Sequence, residues 1–392
     1  MTGRSPSDPT SAGSRSGIPL PFAFALALLV CGPPSAKAER GAMLVETEIV
    51  ARMPGPVGNV TFTPDGRVIF SHHPMFEPEV RVGEMTSSTT FRPFPSAAWN
   101  RPRRGTDEYL DSVLGLRCDE NGIVWMLDSG QRTKITPKIV GWNTRTDRLE
   151  RIYRLPEPVT RPFSDPNDLV IDGRHGAFYI ADEGAGPNGD GSRAALIVVD
   201  MGTGAARRLL EGHASTRAEG LPIHVDGRDL VRREKDGREV PHRVGVDGIA
   251  LDHGAEWLYF APLSGRSVYR IRTADLLDPS LDERRLGDKV ERYAEKPLTG
   301  GMSIDADGNL YLTEIEHRAV GVIPREGRRY RRIAAHPEMH WPDGISFSPD
   351  GAMHVTTDQL PRAAPLNGGS SDFTPPYLTF SFKPLAPGRV GH

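Results

Sequence analysis

Trp341-Pro342-Asp343-Gly344-Ile345-Ser346-Phe347-Ser348-Pro349-Asp350-Gly351-Ala352-Met353-His354-Val355 reads as a short strand, a Pro-Asp-Gly turn and a returning strand. Ile345 and Phe347 alternate with Ser346 and Ser348, and alternation bounded by turn residues is a hairpin signal. The phrase recurs. Variants begin near Gly58, Leu114, Asn167, Asp247 and Gly300, so there are six copies in all. Each leads into a second β-rich segment: Val68-Ile69-Phe70, Val124-Trp125-Met126-Leu127, Phe178-Tyr179-Ile180, Trp257-Leu258-Tyr259-Phe260, Leu310-Tyr311-Leu312 and His354-Val355-Thr356. Repeats of this length, each built on a hairpin, are the signature of a propeller. The fold expected is all-β, a six-bladed β-propeller with four-stranded blades around a central channel.

The flanking chain fits that frame. Met43 to Arg52 reads as a strand that completes the last blade. The polar stretch from Glu211 to Arg243 reads as an excursion between blades three and four. With 392 residues, 42 Gly, 35 Pro and 25% charged residues, the composition is that of a turn-rich globular chain. A net charge of −3 and the lack of an aromatic-basic platform argue against nucleic acid as a partner. Ahead of the repeats, Arg4 and Arg15 precede an apolar run from Leu20 to Val30, followed by Ala36-Lys37-Ala38. This pattern predicts a signal peptide over 1–38, export to the periplasm or medium, and a propeller over 39–392 without membrane attachment. Val30 disfavours lipidation of Cys31. Cys118 then stands alone, a buried thiol without a disulfide partner.

Propeller geometry sorts the polar residues. The start of a blade's first strand and the end of its second share one face, which collects Asn167, Asp247 and Asp343 with His72, Asp128, Asp182, Glu314 and Asp358. Asp65 and Asp350, in the turns, go to the other face. Carboxylates crowded at one channel mouth raise each other's pKa or call for a cation. Oxygen ligands from Asn167, Asp247 and Asp343 would suit Ca²⁺ or another divalent cation. An organic ammonium beside Phe76 or Trp341 would suit the site equally. His72, Asp182 and Asp343 are the candidate acid–base residues; Asn167, Asp128, Asp182, Asp247, Asp343, Glu314 and Asp358 are the candidate binding residues. Taken singly, an Asp before Gly more simply caps its own turn; only the convergence favours a site. Weaker signals are set aside. Gly184-Ala185-Gly186-Pro187-Asn188-Gly189 resembles a dinucleotide fingerprint but leads to no helix. His336 and His340 have helical spacing that Pro337 forbids.

Three phrases carry a family resemblance: Ser112-Val113-Leu114-Gly115-Leu116-Arg117 with Gly122 to Gly130, Val246-Asp247-Gly248-Ile249-Ala250-Leu251 with Leu258 to Ser264, and Trp341-Pro342-Asp343-Gly344 with Thr356-Thr357-Asp358. They resemble the major royal jelly protein/yellow family in their order and cover most of the mature chain. The resemblance implies a secreted six-bladed propeller with a small-molecule ligand in the channel, either a biogenic amine or catechol binder or a dopachrome tautomerase-like enzyme, here expected to be monomeric. Asn121 stands where family members often carry Cys. The repeat is also similar, more distantly, to the senescence marker/gluconolactonase propellers, Ca²⁺-dependent lactone hydrolases. Their ligand positions in blades one and five look like Gly58-Asn59 and Gly300 here. Three functions are thus in contention: a small-molecule site, a metal-assisted lactonase, and a non-catalytic propeller that recognises a macromolecule through the 211–243 excursion.

Overall fold

The computed structural model describes residues 44–184, 190–234 and 236–392. The expected signal segment lies outside them, as does most of the fingerprint-like run 184–189. Six four-stranded antiparallel sheets form the blades of a propeller. The innermost strands are Val57–Phe62, Val113–Cys118, Pro166–Asp172, Val246–Leu251, Thr299–Ile304 and Pro342–Phe347. The second strands are Val68–His72, Ile123–Asp128, Ala177–Asp182, Trp257–Pro262, Leu310–Glu314 and Met353–Thr357. Blade six is closed by the first strand among the described residues: Thr47–Met53 pairs with Tyr377–Phe382. Such closure joins the two ends of the repeat, with Thr47–Met53 as the outer edge strand of the blade.

The inner strands are buried on both faces because each is flanked by neighbouring blades. Glycine lets them approach. A Cβ on Gly248 would lie 2.7 Å from the Gly300 carbonyl oxygen, and one on Gly344 would lie 2.6 Å from Asn59 Cα. Gly115 and Gly301 face the next blade's backbone in the same way. The channel is therefore pinched at this level. Arg117 (1% exposed) fills the pinch, donating to Asn59 Oδ1 at 2.9 Å and to Asp168 Oδ2 at 3.0 Å. The far end is covered by residues 388–391, which bridge to Asp305 and Phe347. Burial pushes the Cys118 thiol up to about 12, so it is inert. Among the described residues no helix is long and apolar enough to cross a membrane.

Candidate functional site at the acidic channel mouth

Every inner strand begins with a register shift: Val57/Val60, Val113/Leu116, Pro166/Asp168, Val246/Gly248, Thr299/Met302 and Pro342/Ile345. A bulge re-aims the side chain it carries. The bulged residues Asn167, Asp247 and Asp343 are brought to one mouth. Asn167 Nδ2 donates to Asp247 Oδ1 at 2.5 Å, which leaves the amide oxygen unspent. Burial, then the Asp343 and Asp168 carboxylates, push Asp247 well above the usual range. Burial and Asp168 raise Asp343 to about 7. Burial and Asp343 raise Asp358 further.

Asp358 is fully buried. Its Oδ1 accepts the Leu360 amide at 2.9 Å, and the rest of its carboxyl has only the Asp343 carboxyl to share a proton with, and no cation. His73 Nε2 lies 3.8 Å from Asp358 Oδ2, too far for a hydrogen bond. Burial, and then His242, push His73 down to about 3, so the ring is neutral. Its Nδ1 accepts the Met75 amide at 3.2 Å, which assigns the ring proton to Nε2, facing the carboxyl pair. Both residues flanking the pair are strained: Trp341 and Gln359 hold φ of 52° and 57°. A bulky side chain at positive φ persists only where its surroundings enforce it, and such strain gathers at functional sites.

The remaining candidates are committed elsewhere. Asp128 accepts from the amides of Asp111, Ser112 and Gly130 and from Lys138 Nζ at 2.8 Å. Asp182 accepts from Asp165 N, Gly184 N and Arg208. Glu314 is held by Arg332 through both oxygens, by Tyr330 and by His317. His72 turns away from the channel: its Nδ1 bonds the Val80 carbonyl at 2.8 Å and its ring packs between Phe70 and Phe91. Its neighbour His73 is the one at the mouth. Asp65 and Asp350 cap their own turns through Thr63 and Ser348.

Sequence reasoning missed His73 and Glu183. Each follows the last residue of a second strand, where the chain turns over the mouth, so the useful position was one residue further on. Burial and then the carboxylates of Asp247, Asp165, Asp343 and Asp182 push Glu183 well up. The aromatic wall was half seen. Phe76 stands edge-on to His73 and Tyr377, with ring centroids 6.1 and 6.3 Å apart, and Phe373 packs at 6.0 Å. The Tyr377 hydroxyl has no partner, and burial, then the Asp358 carboxylate, hold its proton more firmly. The 211–243 excursion forms two hairpins packed beside this wall. Ile223, Val225 and Leu230 join Trp341, Leu360 and Leu366 in one cluster with Phe76. Arg228 and Arg233 tie it to the carbonyls of Pro361 and Gly368.

Two cation sites can be weighed from the donors. Atoms of His73, Asp343 and Asp358 lie within 4.8 Å of one another. Ligation by Nε2 would nevertheless require His73 to move its proton to Nδ1 and give up the Met75 amide, so this set does not fit a metal as it stands. Asn167, Asp247 and Asp343 offer oxygen alone, which fits a hard divalent cation.

With this geometry in place, comparison with known proteins agrees on the architecture. The family described as major royal jelly protein matches residues 111–382. Major royal jelly protein 3 of Apis mellifera is 21% identical over 243 residues, covering 59% of this chain and 41% of the relative. Major royal jelly protein 6 of the same organism is 20% identical, covering 59% and 51%. The chain thus spans about half the length of these curated relatives. Among solved structures, a gluconolactonase from Xanthomonas campestris superposes with a TM-score of 0.55 at 12% identity, covering 87% of this chain and 90% of that one. A calcium-binding protein, regucalcin, from Agrobacterium tumefaciens gives 0.53 at 16% identity, covering 90% and 98%. At such identities the likeness shows the fold alone.

Proposed function

The chain belongs to the major royal jelly protein family, and from that premise we propose that its acidic channel mouth binds a small aromatic amine or catechol and can move a proton on it. One observation carries the reading: the buried Asp343–Asp358 carboxyl pair, which has no cation partner, lies beside the His73 Nε2–H and an aromatic wall. Ionising a buried carboxyl pair costs free energy until a ligand brings the counter-charge. A ligand ammonium would do so while its ring packs on Phe76 and Tyr377. The same groups supply tautomerase chemistry. Asp343, close to neutral in pKa, takes a proton from carbon beside a ring carbonyl, and the His73 Nε2–H polarises that carbonyl. The apolar run 20–30 supports an exported protein.

Calorimetry with dopamine and serotonin, together with a dopachrome-decay assay, tests the reading. Binding that Asp358→Asn weakens by at least about tenfold is the expected result, the worth of one charge-assisted contact. A folded protein with neither binding nor rate would sink it.

A second reading is favoured by one contact. Asn167 and Asp247 already touch and Asp343 shares their field, so these three would hold Ca²⁺ in a lactonase-like site, as the calcium-binding and gluconolactonase neighbours suggest. A bound Ca²⁺ there supplies Lewis acidity to a carbonyl oxygen. Elemental analysis of purified protein decides the matter: protein free of metal and indifferent to added Ca²⁺ excludes this reading.

A further inference from the structure

The seams between blades are unequal. Among the described residues each is filled by its own cluster of buried apolar residues, with eleven to eighteen members at five seams. At the seam between blades six and one, where Thr47–Met53 closes the ring, the cluster has six. Beside it lies a pocket of about 270 Å³ lined by Val60, Phe62, Val68, Met85, His354 and Thr379, open to solvent past the exposed Thr86, Ser87 and Ser88. Phe62 of blade one and His354 of blade six meet across it, with ring centroids 4.6 Å apart.

Protein interiors are normally packed as densely as organic crystals, and unfilled apolar space costs stability. Buried polar atoms are normally paired as well. Here a solvent-open pocket leaves apolar wall uncovered, and on that wall the second rule is broken: Thr379 is 2% exposed and its Oγ1 has no partner. From this coincidence we infer that the seam between blades six and one is a second ligand site, distinct from the channel mouth, for a small uncharged aromatic molecule bearing one hydroxyl.

Size and chemistry set that class. An apolar cavity of about 150 Å³ takes up benzene in another protein, so 270 Å³ accommodates a substituted ring or a bicycle. The six named lining residues include no Asp, Glu, Lys or Arg, and burial holds His354 down to about 4, so neither an ammonium nor a carboxylate finds a counter-charge. One hydroxyl would satisfy Thr379 Oγ1 and leave the ring against Phe62, Val68 and Met85. Occupancy would bind the closing strand to blade one, and binding to the folded state alone raises thermal stability.

Phenol and toluene are the probes, with melting temperature and calorimetry on the full chain as readouts. Phenol is expected to raise the melting temperature and to bind at this seam in a soaked crystal. Thr379→Val keeps the shape and removes the hydroxyl; it should weaken phenol about tenfold while leaving toluene unchanged. Met85→Trp fills the pocket from its rim and should abolish both. Asp358→Asn, at the channel mouth, should alter neither. Phenol binding that survives Met85→Trp, or that disappears in Asp358→Asn, would overturn the inference. So would the absence of any phenol effect on wild-type protein that is otherwise folded.

Discussion

The last residue of a second strand is acidic in three blades, and in a fourth the acid follows one residue later; the surroundings decide what each does. Asp128 has Lys138 at 2.8 Å, Asp182 has Arg208 at 2.5 Å and Glu314 has Arg332 at 2.7 Å, each cation coming from an outer strand of the same blade. Asp358, one residue past the end of its strand, has no cation, only the Asp343 carboxyl and a neutral histidine. Opposite mutational outcomes follow. Lys138 and Asp128 are both fully buried, so Lys138→Met strands a carboxylate without its cation and should destabilise the fold by about 3–5 kcal/mol in denaturant titration. Asp358→Asn removes a carboxyl that burial and Asp343 already disfavour, so its melting temperature should be unchanged or higher while ligand binding falls. A loss of stability as large as that of Lys138→Met would make Asp358 a structural residue.

At the scale of the strand, the bulge and the glycine behind it build the mouth together. Gly301 faces the Asp343 carbonyl across the blade boundary, so Gly301→Ala would push on the very bulge that aims Asp343. Backbone on both sides cannot yield cheaply. A loss of about 1–3 kcal/mol in unfolding free energy is expected, together with weaker binding at the mouth, whereas a fall in stability with binding intact would separate the two. The blades were legible in the sequence because alternation such as Ile345/Phe347 and turns such as Pro349-Asp350-Gly351 are local signals. The bulged starters Asn167, Asp247 and Asp343 were legible too, since position in a repeat predicts a face. Long-range pairing was not legible. Nothing beside Asp128 in sequence announces Lys138, and nothing in His72-His73 says which ring the turn at Pro74–Phe76 will swing over the channel. The excursion read as a free surface because its polar residues dominate, yet Ile223, Val225 and Leu230 pack it beside the mouth.

For the whole molecule, the raised carboxyls make stability depend on pH, but the buried histidines oppose them. Asp343 titrates near 7 when folded and near 3.9 when unfolded, so between those values the folded state holds a proton that the unfolded chain releases. Its contribution therefore falls as pH rises through that window. His72, His73, His242 and His354 are pushed down to between about 3 and about 4 and act in the other sense, losing stability as pH drops below about 6.5. The wild-type profile alone thus reports a sum of opposing contributions, and a difference is needed to isolate the mouth. Asp343→Asn should match wild type near pH 4 and become the more stable protein by up to a few degrees above pH 7, because the neutral amide never ionises among Asp168, Asp247 and Asp358. A cationic ligand should close that gap by favouring the ionised carboxylate. If thermal melts from pH 4 to 8 gave a constant difference between the two proteins, Asp343 would already be ionised and paired throughout, and the mouth would lack the unsatisfied charge on which ligand recognition depends.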